Sequence, residues 1–201
     1  MIHNLRICFV GDSYVAGVGD PRFLGWAGRL AARTISAGQP ITGYNLGVRR
    51  QTSADILSRF EQECVPRLEI ADDPRVVLSL GTNDATHEDG RPRVAPAESA
   101  ANLALLLDRA AARGWATLVV APPPVADLDH RARTALLDAE FVGVCRAAGV
   151  PYIQVHQPLS TNPVWLEEIR LDDGAHPGAA GYDEITALIA PHWDTWLASG
   201  R

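Results

Sequence analysis

Short runs of consecutive apolar residues alternate along this chain with longer stretches in which apolar side chains return every three or four positions. The runs predict strands at Leu5–Val10, Ile41–Leu46, Arg75–Leu80, Thr117–Val120 and Tyr152–Val155. A run that is apolar on both faces, rather than on alternate residues, suits a strand covered on both sides, as in a parallel sheet. Between the runs, Trp26, Leu30 and Thr34 share one helical face, and Ile56, Leu57 and Phe60 share another behind a capping box formed by Thr52 and Asp55. A third helix starts near Pro96, turns Leu103, Leu106, Leu107 and Ala110 inward, and stops at Gly114, where a left-handed residue suits glycine. A fourth carries Leu137, Phe141, Val144 and Ala148 up to Gly149. The last runs from about Pro177 to Leu197 with Ile185, Leu188 and Ile189 facing the sheet, and Pro191 is expected to kink or break it. Segments 84–95, 122–129 and 156–174 are expected to be irregular.

Strands and helices in alternation predict an α/β fold, a three-layer α/β/α sandwich with a five-stranded parallel sheet. Its connections are right-handed, and ligands gather where strands end and helices begin. A chain of 201 residues, 47% hydrophobic, suits one core, so residues 1–201 are expected to form a single domain.

Composition narrows the chemistry. A formal charge of −6 with scattered arginines gives no electrostatic footprint for nucleic acid. All the fixed positive charges are arginine, because the sequence contains no lysine. That removes the Walker lysine, the Schiff base and the Ser-Lys dyad. Cys8, Cys64 and Cys145 are odd in number and lie in apolar stretches, which suits reduced, buried thiols. The run Leu5–Val10 is too short for a signal sequence, and no apolar stretch reaches the ~18 residues of a membrane span. A cytoplasmic protein is the expectation.

Four short motifs fall at expected strand ends or before the last helix: Gly11-Asp12-Ser13, Asn45-Leu46-Gly47, Gly81-Thr82-Asn83-Asp84 and Asp173-Gly174-Ala175-His176. Each alone is commoner as an ordinary turn; their joint occurrence carries the argument. A serine just past the first strand enters a helix and can act as nucleophile while its backbone amide points at a developing negative charge. Gly47 allows a close backbone approach, and the side-chain amide of Asn83 can complete a three-donor oxyanion hole with Ser13 and Gly47. His176 lies three positions after Asp173, so the carboxylate can accept from the imidazole and hold it as a base. Asp172 is the alternative partner, and Pro177 places the histidine near a helix N-terminus.

In these four blocks the sequence resembles the SGNH hydrolases, the GDSL lipase and esterase family. The family's nucleophile falls on Ser13, its glycine on Gly47, its asparagine on Asn83 and its Asp-x-x-His pair on Asp173 and His176. Tyr14 departs from the leucine in the family's name. The resemblance implies the flavodoxin-like SGNH hydrolase fold and a serine esterase that works through an acyl-enzyme, with no metal or organic cofactor. A small-molecule ester is the implied partner. A thioesterase, lysophospholipase or carbohydrate deacetylase would use the same residues.

Rival readings fit less well. An α/β-hydrolase elbow needs Gly-x-Ser-x-Gly, and Val15 takes the last position. Gly11, Gly17 and Gly19 do not fit the dinucleotide-binding G-x-G-x-x-G, which weakens a non-catalytic nucleotide- or phosphate-binding module. A phospho-acceptor receiver would need a lysine. Histidines 3, 87, 130, 156, 176 and 192 form no recognisable metal-ligand spacing. Tyr14 and Trp165 are candidate substrate-binding residues, with Trp165 alternatively anchoring its loop. Arg49 and Arg50 either meet an anionic substrate group or form a solvated pair.

Overall fold

The computed structural model describes residues 4–199. The strands β1 (Leu5–Gly11), β2 (Thr42–Gly47), β3 (Asp73–Ser79), β6 (Ala116–Val120) and β7 (Tyr152–Ile153) form one parallel sheet in the order β2-β1-β3-β6-β7. A two-residue hairpin, β4 (His87–Glu88) with β5 (Arg91–Pro92), stands apart. The helices are α1 (Ser13–Ala16), α2 (Gly25–Ser36), α3 (Ser53–Leu68), α4 (Pro96–Ala112), α5 (Leu128–Ala148), α6 (His156–Ser160), α7 (Pro163–Leu171) and α8 (Ala179–Ala198). Among the described residues no helix is long and apolar enough to cross a membrane.

The pleat explains the layers. On β1, Ile7 and Phe9 enter a core with Trp26, Leu30, Ile185, Ile189 and Trp193, whereas Cys8 and Val10 enter a second core with Ile56, Phe60, Leu103 and Leu107. Successive side chains point to opposite faces, so β3 is buried at every residue and β1 at every residue but Arg6. That burial is the origin of the unbroken apolar runs. The sandwich and its five parallel strands match the expectation from the pattern.

Four local expectations change, the first being that segment 84–95 carries the β4–β5 hairpin. The segment 156–174 contains α6 and α7; Asn162 caps α7 by accepting from the Trp165 amide at 2.9 Å, and Pro163 starts it. Pro191 lies inside an uninterrupted α8, whose flanking Ile189, Trp193, Trp196 and Leu197 are all buried. Their packing outweighs the backbone hydrogen bond that proline cannot make. On α5 the inward face is Thr134, Leu137, Asp138, Phe141 and Cys145, while Ala148 is exposed beside the left-handed Gly149. The Thr52–Asp55 capping box is present. Helix α4 ends just before Gly114, whose φ is +68°.

Candidate active site

The chain runs from β1 outward to β2 and then crosses back to β3 on the other side of β1, so the loops after these strands diverge and leave a crevice. Three of the four sequence blocks sit on those loops, and the fourth enters from the turn between α7 and α8. The first, third and fourth blocks line a cleft of about 250 Å³ whose walls include Ser13, Tyr14, Asn83, His130, Asp173 and His176.

Ser13 opens α1, and Asp12 caps it by accepting from the Tyr14 amide at 3.0 Å. At the start of a helix the backbone N–H groups have no intrahelical acceptor. The Ser13 hydroxyl lies 2.7 Å from His176 Nε2, and His176 Nδ1 lies 2.7 Å from Asp173 Oδ2. A carboxylate only accepts, so Nδ1 carries the proton and the Nε2 lone pair faces the hydroxyl. Asp173 Oδ1 takes the amides of Ala175 and His176 at 3.0 and 2.9 Å. Partial burial raises the Asp173 pKa, but the His176 and Ala175 hydrogen bonds overcome it and hold the carboxyl below its ordinary range. Asp172 caps the end of α7, is exposed, and takes no part in this line.

The line is braced from both sides. Tyr14 donates from its hydroxyl to the Ala175 carbonyl at 2.9 Å, tying α1 to the histidine loop. Gly19, at φ +87°, is pressed against His176; a Cβ there would lie 2.6 Å from the Pro177 carbonyl oxygen and 3.2 Å from His176 Cβ. Buried Asp20 holds that glycine's loop, accepting from the amides of Arg22, Leu24 and Gly25 and from the guanidinium of Arg29. Arg29 also donates to the Ala179 carbonyl and pairs with Asp183 on α8.

The other two expected oxyanion donors are engaged elsewhere. The Gly47 amide donates to Asn45 Oδ1 at 3.0 Å. Gly47 is glycine for a steric reason, since a Cβ would lie 2.1 Å from the Ala16 nitrogen on α1. The Asn83 side-chain amide donates to Asp12 Oδ2 at 3.2 Å and to the Gln51 carbonyl at 3.0 Å. Burial pushes the Asp12 carboxyl up to about 7, against the Tyr14 amide and with Asp84 adding repulsion. Asp84, also buried, accepts from the Ser53 amide at 2.7 Å and so ties the Asn83 loop to α3.

Tyr14 lines the cleft; Trp165 does not. Trp165 is fully buried behind Tyr14, with ring centroids 6.2 Å apart, and donates from Nε1 to the Pro124 carbonyl at 3.0 Å. It anchors α7 to the loop after β6. Arg49 reaches back to Asp173 Oδ2 at 3.2 Å, and Arg50, left-handed at φ +68°, meets Glu88 at 3.5 Å. Both arginines are therefore partnered by protein carboxylates. Among the described residues no group of three or more His, Cys, Asp or Glu converges as a metal site.

Asp20, Arg29, Asp127 and His130 lie outside the four sequence blocks. For the last two a signal existed: Asp127-Leu128-Asp129-His130 repeats the Asp-x-x-His spacing of the fourth block.

A parallel α/β sandwich with its four blocks gathered at one crevice defines an ester-bond hydrolase. The chain belongs to the GDSL-like Lipase/Acylhydrolase family, whose profile matches residues 9–184. No match is found among curated proteins. Solved structures share the fold: a lipase/acylhydrolase from Enterococcus faecalis is 24% identical, with 94% of each chain covered and a TM-score of 0.76. The psychrotrophic esterase EstA from Pseudoalteromonas sp. is 18% identical, with 96% of this chain and 99% of that one covered and a TM-score of 0.75. The acetylxylan esterase Axe2 from Geobacillus stearothermophilus is 14% identical over 100% of both chains, with a TM-score of 0.73.

Proposed function

We propose that this protein is a serine esterase for short-acyl carboxylic esters, working through an acyl-enzyme on Ser13. The observation that carries the reading is the unbroken hydrogen-bonded line from Asp173 through His176 to Ser13 at the cleft. His176 Nε2 takes the hydroxyl proton as Ser13 Oγ bonds to the ester carbonyl carbon. The tetrahedral intermediate then collapses, the carbon–alkoxy bond breaks, and the same proton passes from Nε2 to the leaving alcohol. Water repeats the sequence on the acyl-enzyme, releasing the acid and restoring the serine. Asp173 fixes the tautomer and stabilises the imidazolium without taking the proton itself.

The oxyanion takes the amides of Ser13 and Gly47 and the side chain of Asn83. The latter two exchange neutral or partly neutralised acceptors for a developing negative charge, a stronger acceptor. The small cleft and its short apolar wall of Tyr14, Val125 and Ala175 support a short acyl group. A cytoplasmic setting is part of this reading, supported by Cys8, Cys64 and Cys145 being free and buried.

A fluorophosphonate tests the assignment, because only an activated serine attacks phosphorus quickly. Peptide mapping is expected to find the label on Ser13 and none in Ser13→Ala. Labelling at another residue, or none in protein that hydrolyses esters, overturns it.

A further inference from the structure

The residues that line the cleft include three polar ones that the acyl-transfer steps do not use: Asp127, His130 and Thr86. His130 Nε2 lies 2.8 Å from the Thr82 carbonyl oxygen. That oxygen can only accept, so Nε2 carries the ring proton and Nδ1 is left as a lone-pair acceptor. Burial lowers the ring's pKa, favouring this neutral form at pH 7. Asp127 Oδ1 caps α5 by accepting from the His130 amide at 2.7 Å, and among the described residues the carboxylate's other oxygen has no hydrogen bond or ion pair. The Thr86 hydroxyl is likewise without a hydrogen-bond partner among the described residues, while its backbone is fixed by Asn83 and Arg93. An exposed carboxylate oxygen, a half-buried imidazole lone pair and a half-buried hydroxyl therefore remain without protein partners among the residues that line the cleft.

We propose that Asp127, His130 and Thr86 form a subsite for a polyhydroxylated alcohol, so that the ester cleaved joins a short acyl group to a sugar or glycerol-like leaving group. The proposal rests on the esterase reading of Ser13. Groups of this kind match the hydroxyls of a polyol and offer nothing to a hydrocarbon alcohol, and the Asp127 charge repels an anion. An acyl chain without polar atoms fits the apolar part of the lining, Tyr14, Val125 and Ala175. A site built for hydroxyl groups discriminates against an analogue that lacks them, because its own polar groups are then desolvated without partners.

The test compares kcat/KM for two acetates of similar size, a monoacetylated methyl pyranoside and cyclohexyl acetate, with glyceryl monoacetate against propyl acetate as the acyclic pair. The wild-type protein is expected to prefer the hydroxylated member of at least one pair by about tenfold or more. The pair that shows it separates a sugar from a glycerol leaving group. His130→Gln retains a donor for the Thr82 carbonyl while removing the Nδ1 acceptor, and Asp127→Asn retains a capping oxygen while removing the charge. Each is expected to cut the preference roughly fivefold to tenfold, mainly through KM. A ratio of two substrates is independent of how much variant protein is folded. Hydrolysis of all four acetates without preference, or a preference that both variants leave intact, overturns the subsite alone. Failure of wild-type protein to hydrolyse any acetate, p-nitrophenyl acetate included, overturns the esterase reading with it.

Discussion

Two turns with the same spacing face the same cleft and use their histidines in opposite ways. In Asp127–His130 and in Asp173–His176, the aspartate Oδ1 accepts from the histidine's backbone amide, at 2.7 and 2.9 Å. There the likeness ends. His176 gives Nδ1–H to its own aspartate and turns a bare Nε2 to Ser13, whereas His130 gives Nε2–H to Thr82 and keeps a bare Nδ1. The difference lies in the backbone that each turn leads into. Asp127 begins a 21-residue helix, and its carboxylate serves as an N-cap. Pro177 and Gly178 instead delay α8 until Ala179, so the turn stays open and Asp173 Oδ2 meets the ring. The spacing specifies a backbone hydrogen bond; the ring's chemistry is decided by its neighbours in space.

The largest expected effect breaks that contrast at the open turn. Asp173→Asn removes the counter-charge and permits the wrong imidazole tautomer, so kcat is expected to fall by about 10⁴ with circular dichroism and Tm little changed. Asp127→Asn falls far short of that loss. Equal losses from both would mean that His130, not His176 alone, handles protons. Asn83→Ala comes next, with kcat expected to fall roughly 10²–10³ and KM nearly constant, because a donor held by Asp12 and Gln51 in the resting site is released to the oxyanion only as charge develops. A loss confined to KM would make Asn83 a ground-state contact.

The range of the interactions decides how much of this was legible in the sequence. The strands and the inward helix faces were readable because burial on both sides of a sheet imposes local periods. The convergence of Ser13, Asp173 and His176 into one hydrogen-bonded line was legible because each block is a few residues long and falls at an element end. Asp20 was not, since its partners, Arg29 and the amides just beyond it, are ordinary loop and helix residues until the chain folds around Gly19. Trp165 read equally as pocket or anchor, and only its bond to Pro124, a residue distant in sequence, decides for anchor. Pro191 misled because a local rule was applied where tertiary packing dominates.

A smaller effect concerns what holds the open turn in place. Burial raises the Asp20 pKa, but the Arg29 guanidinium and the amides of Arg22 and Gly25 outweigh it and bring the carboxyl down from 3.8 to about 2. A depressed folded-state pKa contributes stability that is present above the unfolded pKa and lost as pH falls through the folded one. The shift corresponds to about 2 kcal/mol at neutral pH. Asp20→Asn is therefore expected to lower stability by that order at pH 7, with the gap to wild type closing between pH 4 and 2. Urea denaturation at each pH measures it. A gap independent of pH would assign the loss to packing around Gly19 rather than to the charge.

The smallest effect tests the apolar part of the cleft lining. Each methylene buried in a matching groove is worth about 0.8 kcal/mol, close to fourfold in kcat/KM, and the gain stops where the groove ends. Here the cleft measures about 250 Å³ and its apolar wall consists of Tyr14, Val125 and Ala175. Extension past Tyr14 is blocked, since its hydroxyl is tied to Ala175 and its ring is backed by the buried Trp165. For soluble p-nitrophenyl esters, kcat/KM is therefore expected to peak between acetyl and butyryl and to have fallen by octanoyl. The series must be run below micelle formation, where aggregation does not imitate preference. A rise that continues to octanoyl would mean that Tyr14 moves aside and that the site accepts lipid or acyl-thioester chains, and the open turn would then serve a different class of ester from the one that Asp127, His130 and Thr86 are suited to select.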